Sequence, residues 1–167
     1  MTMILWMIRI FRKDDFLDYN DLLEEAAASG LIVKEKRLRA YDGRIKGNRV
    51  AIRKDMPTVQ KTCVLAEELG HKETGYGNIL GQDTLLDIKQ EYRARMWAFD
   101  KLIGLTGIIK AYKRGCTSLH EVSEFLDVTE EFLLESLVAY RRRYGCHATV
   151  DNYIICFEPA LGVLEMI

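Results

Sequence analysis

Long apolar runs, proline, paired cysteines and an excess of one charge are what this sequence lacks. The most apolar stretch is the opening MTMILWMIRIF, which Arg12, Lys13, Asp14 and Asp15 follow at once. A transmembrane helix needs ~20 such residues, so no membrane span is expected. The stretch has neither a basic leading region nor a small-residue cleavage site, so it does not read as an export signal. It reads as a short strand, or as an extension upstream of a start at Met7. Proline occurs twice, and no low-complexity segment or internal repeat interrupts the chain.

The four cysteines, Cys63, Cys116, Cys146 and Cys156, form no CxxC. That spacing argues against a zinc ribbon and against a thioredoxin-type motif. Reduced thiols in a cytoplasmic protein are the expectation. The 24 Lys and Arg nearly balance 25 Asp and Glu, for a net charge of −1. No global field draws in nucleic acid or a membrane surface, and any such binding would need a local patch.

What is there is a globular composition, 49% hydrophobic and 29% charged over 167 residues. That length suits one compact domain with a small appendage and a real core. DDFLDYNDLLEEAAAS (14–29) has acidic first turns, apolar residues at helical spacing and a stop at Gly30, which predicts a helix. Between residues 31 and 52, the turn pairs Asp42-Gly43 and Gly47-Asn48 separate short alternating runs such as RVAI, which predicts two or three strands. Pro57 opens a second helix in its first turn, running to about Thr74. TGYGNILGQDT is a loop, a third helix covers about 83–103, and a short fourth covers 108–113. Ser118 and Thr129 cap two further helices, with a capping box at Ser118 and Glu121 that Phe132 breaks in the second. NYIICFEP reads as a strand. The class is α+β, mostly helical, with a small sheet.

The second helix contains LAEELGH (65–71). Glu67 and His71 are four apart and share a helix face, so they can chelate one ion. Glu68 is offset beside them, the position from which a carboxylate serves as general base in zinc proteases. A catalytic zinc wants three protein ligands. Glu91, on the next helix, is the best third candidate if that helix returns antiparallel across the loop. Two carboxylates and one imidazole make a weaker activator than a His-rich set, because less positive charge remains. They also weaken the preference for zinc over manganese. The plain alternative is a solvated acidic face with a C-terminal-turn histidine that suits the helix dipole.

LAEELGH, then TGYGNIL, then KQEYRARMWAFDKLI resembles the ImmA/IrrE family of metallo-endopeptidases over about Asp18 to Ile103. Typical members carry His-Glu-Leu-Gly-His on the active-site helix and a Glu-x-x-Ala segment on the next; here the latter is Glu91 and Ala94, followed by Trp97 and Ala98. The resemblance implies a zincin-like fold, Glu68 as general base on water that the metal activates, and His71 and Glu91 as metal ligands. Glu67 stands where the family has its first His. It can still ligate, since carboxylate and imidazole bind zinc at similar distances. The resemblance further implies Zn²⁺, with Mn²⁺ as a substitute, and a protein substrate: the helix-turn-helix repressor of a prophage or mobile element. Tyr76 is near the site in sequence, either as an oxyanion helper or as a loop aromatic packed on the surface.

Residues 118–145 form two helices around a tight turn at Asp127-Val128. The pattern resembles a helix-turn-helix, but TEEFLLES is acidic where base contacts would be made. Direct nucleic-acid contact is therefore not expected, and the pair reads as packing on the core or docking the repressor. Arg141, Arg142 and Arg143 read as a solvated helix end. His120 and His147 have no ligand spacing, and Cys63, one turn before Glu67, reads as buried. The expected division is a metallopeptidase domain at 1–112 and a helical extension with a terminal strand at 113–167. The competing reading is a non-catalytic module, or a transcriptional regulator, that docks such a repressor.

Overall fold

The computed structural model of the protein describes residues 16–75 and 84–167. The opening apolar stretch, most of the Gly-rich loop and Tyr76 lie outside the described residues. Helix α1 (Tyr19–Ala28) leads into strands β1 (Ile32–Lys36), β2 (Gly43–Lys46) and β3 (Arg49–Arg53). Helices α2 (Thr58–Glu73), α3 (Thr84–Leu102), α4 (Gly104–Arg114), α5 (Leu119–Leu126) and α6 (Glu130–Tyr144) follow. Strands β4 (His147–Val150), β5 (Tyr153–Cys156) and β6 (Gly162–Glu165) end the chain. The class is α+β, as the sequence indicates.

The strands form two sheets rather than one. The first has the order β1-β3-β2, with β1 parallel and β2 antiparallel to β3, so β2 is an edge strand. Alternation along β3 buries Val50 and Ile52 and turns Arg49, Ala51 and Arg53 to the other face. The second is an antiparallel meander, β4-β5-β6. NYIICFEP supplies its central strand, paired on both sides. The segment packs with α4. Its partners HATV and GVLE are short, half-exposed runs, and the sequence pattern did not mark them.

Helix starts follow the capping chemistry. Asp18 accepts from the Asp21 N–H and Asp21 returns the bond, a capping box, so α1 begins at Tyr19 instead of in the acidic run before it. Ser118 and Glu121 make the second box, while Thr129 caps α6 with its hydroxyl alone. Pro57 is the N-cap of α2 rather than its first residue, consistent with its φ of −57° and missing N–H. Asp127 adopts the left-handed region at φ 54°, which turns α5 tightly into α6.

One buried cluster joins the elements. It runs from Leu22 and Ala26 through Ile52, Leu65, Leu69 and Phe99 to Leu126, Leu133, Tyr140 and Ile155. Phe99 of α3 meets Phe132 of α6 edge to face, centroids 4.9 Å apart. Burying side chains of this size contributes about 1.5–3 kcal/mol each. The expected division near residue 112 falls in the last turns of α4. Among the described residues, no helix is long and apolar enough to cross a membrane.

Candidate active site

Two close approaches position the site, and both need glycine. Gly70 of α2 lies against α3: a Cβ there would stand 2.3 Å from the Ala94 carbonyl oxygen. Only the bare backbone lets the two helices come so near. This contact brings the following residue, His71, to the turn of α3 that carries Glu91. His71 Nε2 is 3.5 Å from Glu91 Oε2. Gly43 of β2 does the same for Glu68. A Cβ on Gly43 would meet Val64 Cγ1 at 2.5 Å and Glu68 Oε1 at 2.9 Å. The Glu68 carboxylate therefore lies beside edge strand β2 and accepts from the Ile45 backbone N–H.

Burial pushes the Glu68 carboxyl up to about 7, against the opposing pull of the Ile45 N–H; the charges of Glu67 and Glu91 add to the rise. A carboxyl near neutrality suits proton transfer at physiological pH. Burial also raises Glu67, with Arg95 opposing and Glu135 and Glu91 adding. Burial lowers His71, and the Glu91 carboxylate opposes that. Six acidic and basic side chains, Glu67, Glu68, His71, Glu91, Arg95 and Glu135, thus act on one another where α2 meets β2, α3 and α6.

Glu67 does not join His71 and Glu91. Its Oε1 is 3.3 Å from Arg95 Nε, and Arg95 also pairs with Glu135 of α6. The Arg95 guanidinium lies 5.5 Å from the Phe99 ring centre, over its face. As the side chains stand, no three His, Cys, Asp or Glu among the described residues gather closely enough to hold a metal ion. Still, the donor set suits one: an imidazole facing a carboxylate, and a second carboxylate one turn away on the imidazole's own helix. The set fits a divalent cation provided Glu67 turns from Arg95.

Arg95 and Glu135 are the site residues that sequence reasoning missed. A signal for Arg95 existed: it lies four residues after Glu91 and so shares its face toward α2. No sequence signal marked Glu135, which arrives from α6 through tertiary packing. Gly43 read only as a turn residue. Cys63 is buried, and burial raises its thiol to about 11, as befits a core side chain. His120 and His147 are exposed and remote from His71 in the chain. His120 lies near Glu124 and Glu130 instead.

Compared with known proteins, the chain matches the family described as Peptidase M78, IrrE N-terminal-like domain, over residues 13–138. The matched span includes α2, α3 and most of α6. No curated protein matches the chain, and no solved structure does.

Proposed function

This chain belongs to the IrrE N-terminal-like family of peptidases, a metallopeptidase domain, and from that premise we propose that it is a zincin-like, metal-dependent endopeptidase. Its substrate on this reading is a protein, the helix-turn-helix repressor of a prophage or mobile element, met in the cytoplasm. The observation that carries the reading is the convergence of Glu68, its carboxyl raised to about 7, with the His71–Glu91 pair beside β2, an edge strand among the described residues. A bound Zn²⁺, or Mn²⁺, held by His71, Glu91 and Glu67, would polarise the scissile carbonyl and activate water. Glu68 would be the group that accepts a proton from the attacking water and returns one to the leaving amine. The Ile45 N–H and the absent side chain at Gly43 fix the Glu68 carboxylate for this task. An extended substrate segment can lie along the edge of β2, the usual way a strand edge receives a peptide. The extension at 113–167 serves to dock the rest of the repressor.

A second reading is favoured by the Glu67–Arg95–Glu135 chain of ion pairs. There the guanidinium is the permanent partner of Glu67, and the domain binds a regulator without cutting it. The two are separated by metal content and by Glu68→Gln. A peptidase holds about one metal per chain, loses it in Glu67→Ala, and in Glu68→Gln keeps the metal but no longer cleaves. Wild-type protein without metal after incubation with zinc or manganese would sink the peptidase reading. The Arg95→Gln variant then adds a direction: if Arg95 merely competes for Glu67, its loss tightens zinc binding.

A further inference from the structure

The even charge balance of the chain conceals a one-sided sheet. Alternation turns Lys34 and Lys36 of β1, Arg44 and Lys46 of β2, and Arg49 of β3 to the face away from α1 and α2. The acidic residue of β1, Glu35, points the other way, where it accepts from Lys61 and Tyr19. Asp42, in the turn before β2, is held by Arg53 at 2.7 Å. Among the described residues, none of the five cations is ion-paired with a carboxylate. Lys46 and Arg49 are direct cross-strand partners. Like charges directly opposite one another destabilise a sheet.

The five cations line a groove of about 520 Å³ together with Tyr41 and an apolar floor that includes Ile32 and Leu38. Tyr41 is 59% exposed, an unusual position for a ring, and the Arg44 guanidinium sits over it at 5.6 Å. Cations two residues apart on a strand recur every ~6.6 Å, close to the separation of successive phosphates in an extended single strand. A cationic groove that also offers a flat aromatic surface is the arrangement that holds single-stranded nucleic acid by its backbone and its bases. We propose that the outer face of the β1-β3-β2 sheet binds single-stranded nucleic acid, with Lys34, Lys36, Arg44, Lys46 and Arg49 on phosphates and Tyr41 stacked on a base. This surface is the local patch that the net charge of −1 requires, and it is independent of any metal in the cleft.

The test is fluorescence polarisation of a labelled 15-nucleotide oligothymidylate with the full chain at low salt. The probe should bind, and its affinity should fall steeply as salt rises. Lys34→Gln/Lys46→Gln/Arg49→Gln should weaken binding at least tenfold and reduce the salt slope by about 2, at ~0.7 per phosphate contact on a single strand. Tyr41→Ala should weaken it about tenfold through lost stacking. Lys89→Gln/Arg114→Gln/Arg142→Gln removes as many charges elsewhere and should change little. Melting temperatures of the variants, all of exposed residues, establish that the fold survives. Absence of binding at low salt overturns the proposal, as does equal loss in both triple variants. Tighter binding of a labelled 15-residue polyglutamate than of the oligonucleotide would also overturn it and assign the face to an acidic peptide. Unchanged binding in Tyr41→Ala, with a 15-base-pair duplex preferred, would overturn the single-strand assignment.

Discussion

Gly70→Ala adds one methyl group, and the structure assigns it a cost of unusual sign. In an exposed helix interior, alanine is favoured over glycine by about 1 kcal/mol. At Gly70 the new Cβ would lie 2.3 Å from the Ala94 carbonyl oxygen, where ordinary contact starts at 3.4 Å, a shortfall of about 1.1 Å. The obstacle is backbone, so no side-chain rotation relieves it. Helices α2 and α3 must separate, and they do so against the packing of Leu65, Leu69 and Phe99. Overpacking of this kind costs roughly 1–3 kcal/mol, and a shift of a whole helix belongs at the upper end. After subtracting the helix preference, the net loss is about 1–2 kcal/mol. Urea denaturation measures it: with a slope of about 1–3 kcal/mol per molar, the midpoint should fall by roughly 0.3–2 M. Ala94→Gly should not rescue the loss, because the clash is with the carbonyl and not with the Ala94 side chain. A Gly70→Ala protein as stable as wild type, or more so, would refute the close approach and with it the geometry that sets His71 against Glu91.

Other outcomes follow from the charges and thiols. In chelator-treated protein, Glu68 titrates at about 7 folded and near ~4.3 unfolded, so the folded state binds more protons in between. Stability therefore falls as pH rises through that window, and Glu68→Gln should flatten the fall; equal urea midpoint differences between pH 5 and pH 8 for both proteins would contradict this. Glu35 is held below the usual carboxylate range, first by its hydrogen bond from Lys61. Its stabilisation is present above the ordinary carboxyl pKa and is lost as pH falls through the lowered one, so Lys61→Gln should cost about 0.2–1 kcal/mol at pH 7 and progressively less as the carboxylate is protonated in acid. A thiol reagent should modify exposed Cys146 quickly and Cys63 only on unfolding, since Cys63 is buried with its thiol raised to about 11; fast modification of Cys63 in folded protein would show that the α2 face is open.

Local signals carried much of the fold and half of the site. Caps at Ser118 and Thr129, and the Gly30 stop, are statements about neighbours within four residues, and they are legible in one dimension. So is the helix that bears Glu67, Glu68 and His71. The contact between His71 and Glu91 was inferable because Glu-x-x-Ala and a loop of known length limit how α3 can return. The two-residue alternation that puts Lys34, Arg44 and Arg49 on one face was equally readable strand by strand. What could not be read was their summation, since that needs the order β1-β3-β2, and overall charge cancels it.

Glu67 is where the two kinds of information part. In the sequence it is a substitution judged against a motif: a carboxylate in place of an imidazole, able to ligate in the same manner. In the fold it is one member of a chain of charges, Glu67 to Arg95 to Glu135, that crosses from α2 through α3 to α6. A histidine at 67 would be neutral near pH 7 and would give Arg95 no countercharge. Glu in place of the family's His therefore does more than alter a candidate ligand, because it supplies Arg95 with a partner between two helices of the core. Metal at this site must take Glu67 from a guanidinium that Glu135 and the face of Phe99 already hold in position. On the peptidase reading, the affinity of the site for an ion would thus be set in part by α6, outside the motif that first suggests the ion. Glu135→Gln tests that dependence directly. Without Glu135, Arg95 has Glu67 alone to pair with, so zinc binding should weaken while the fold remains; unchanged zinc affinity in Glu135→Gln would mean that α6 plays no part.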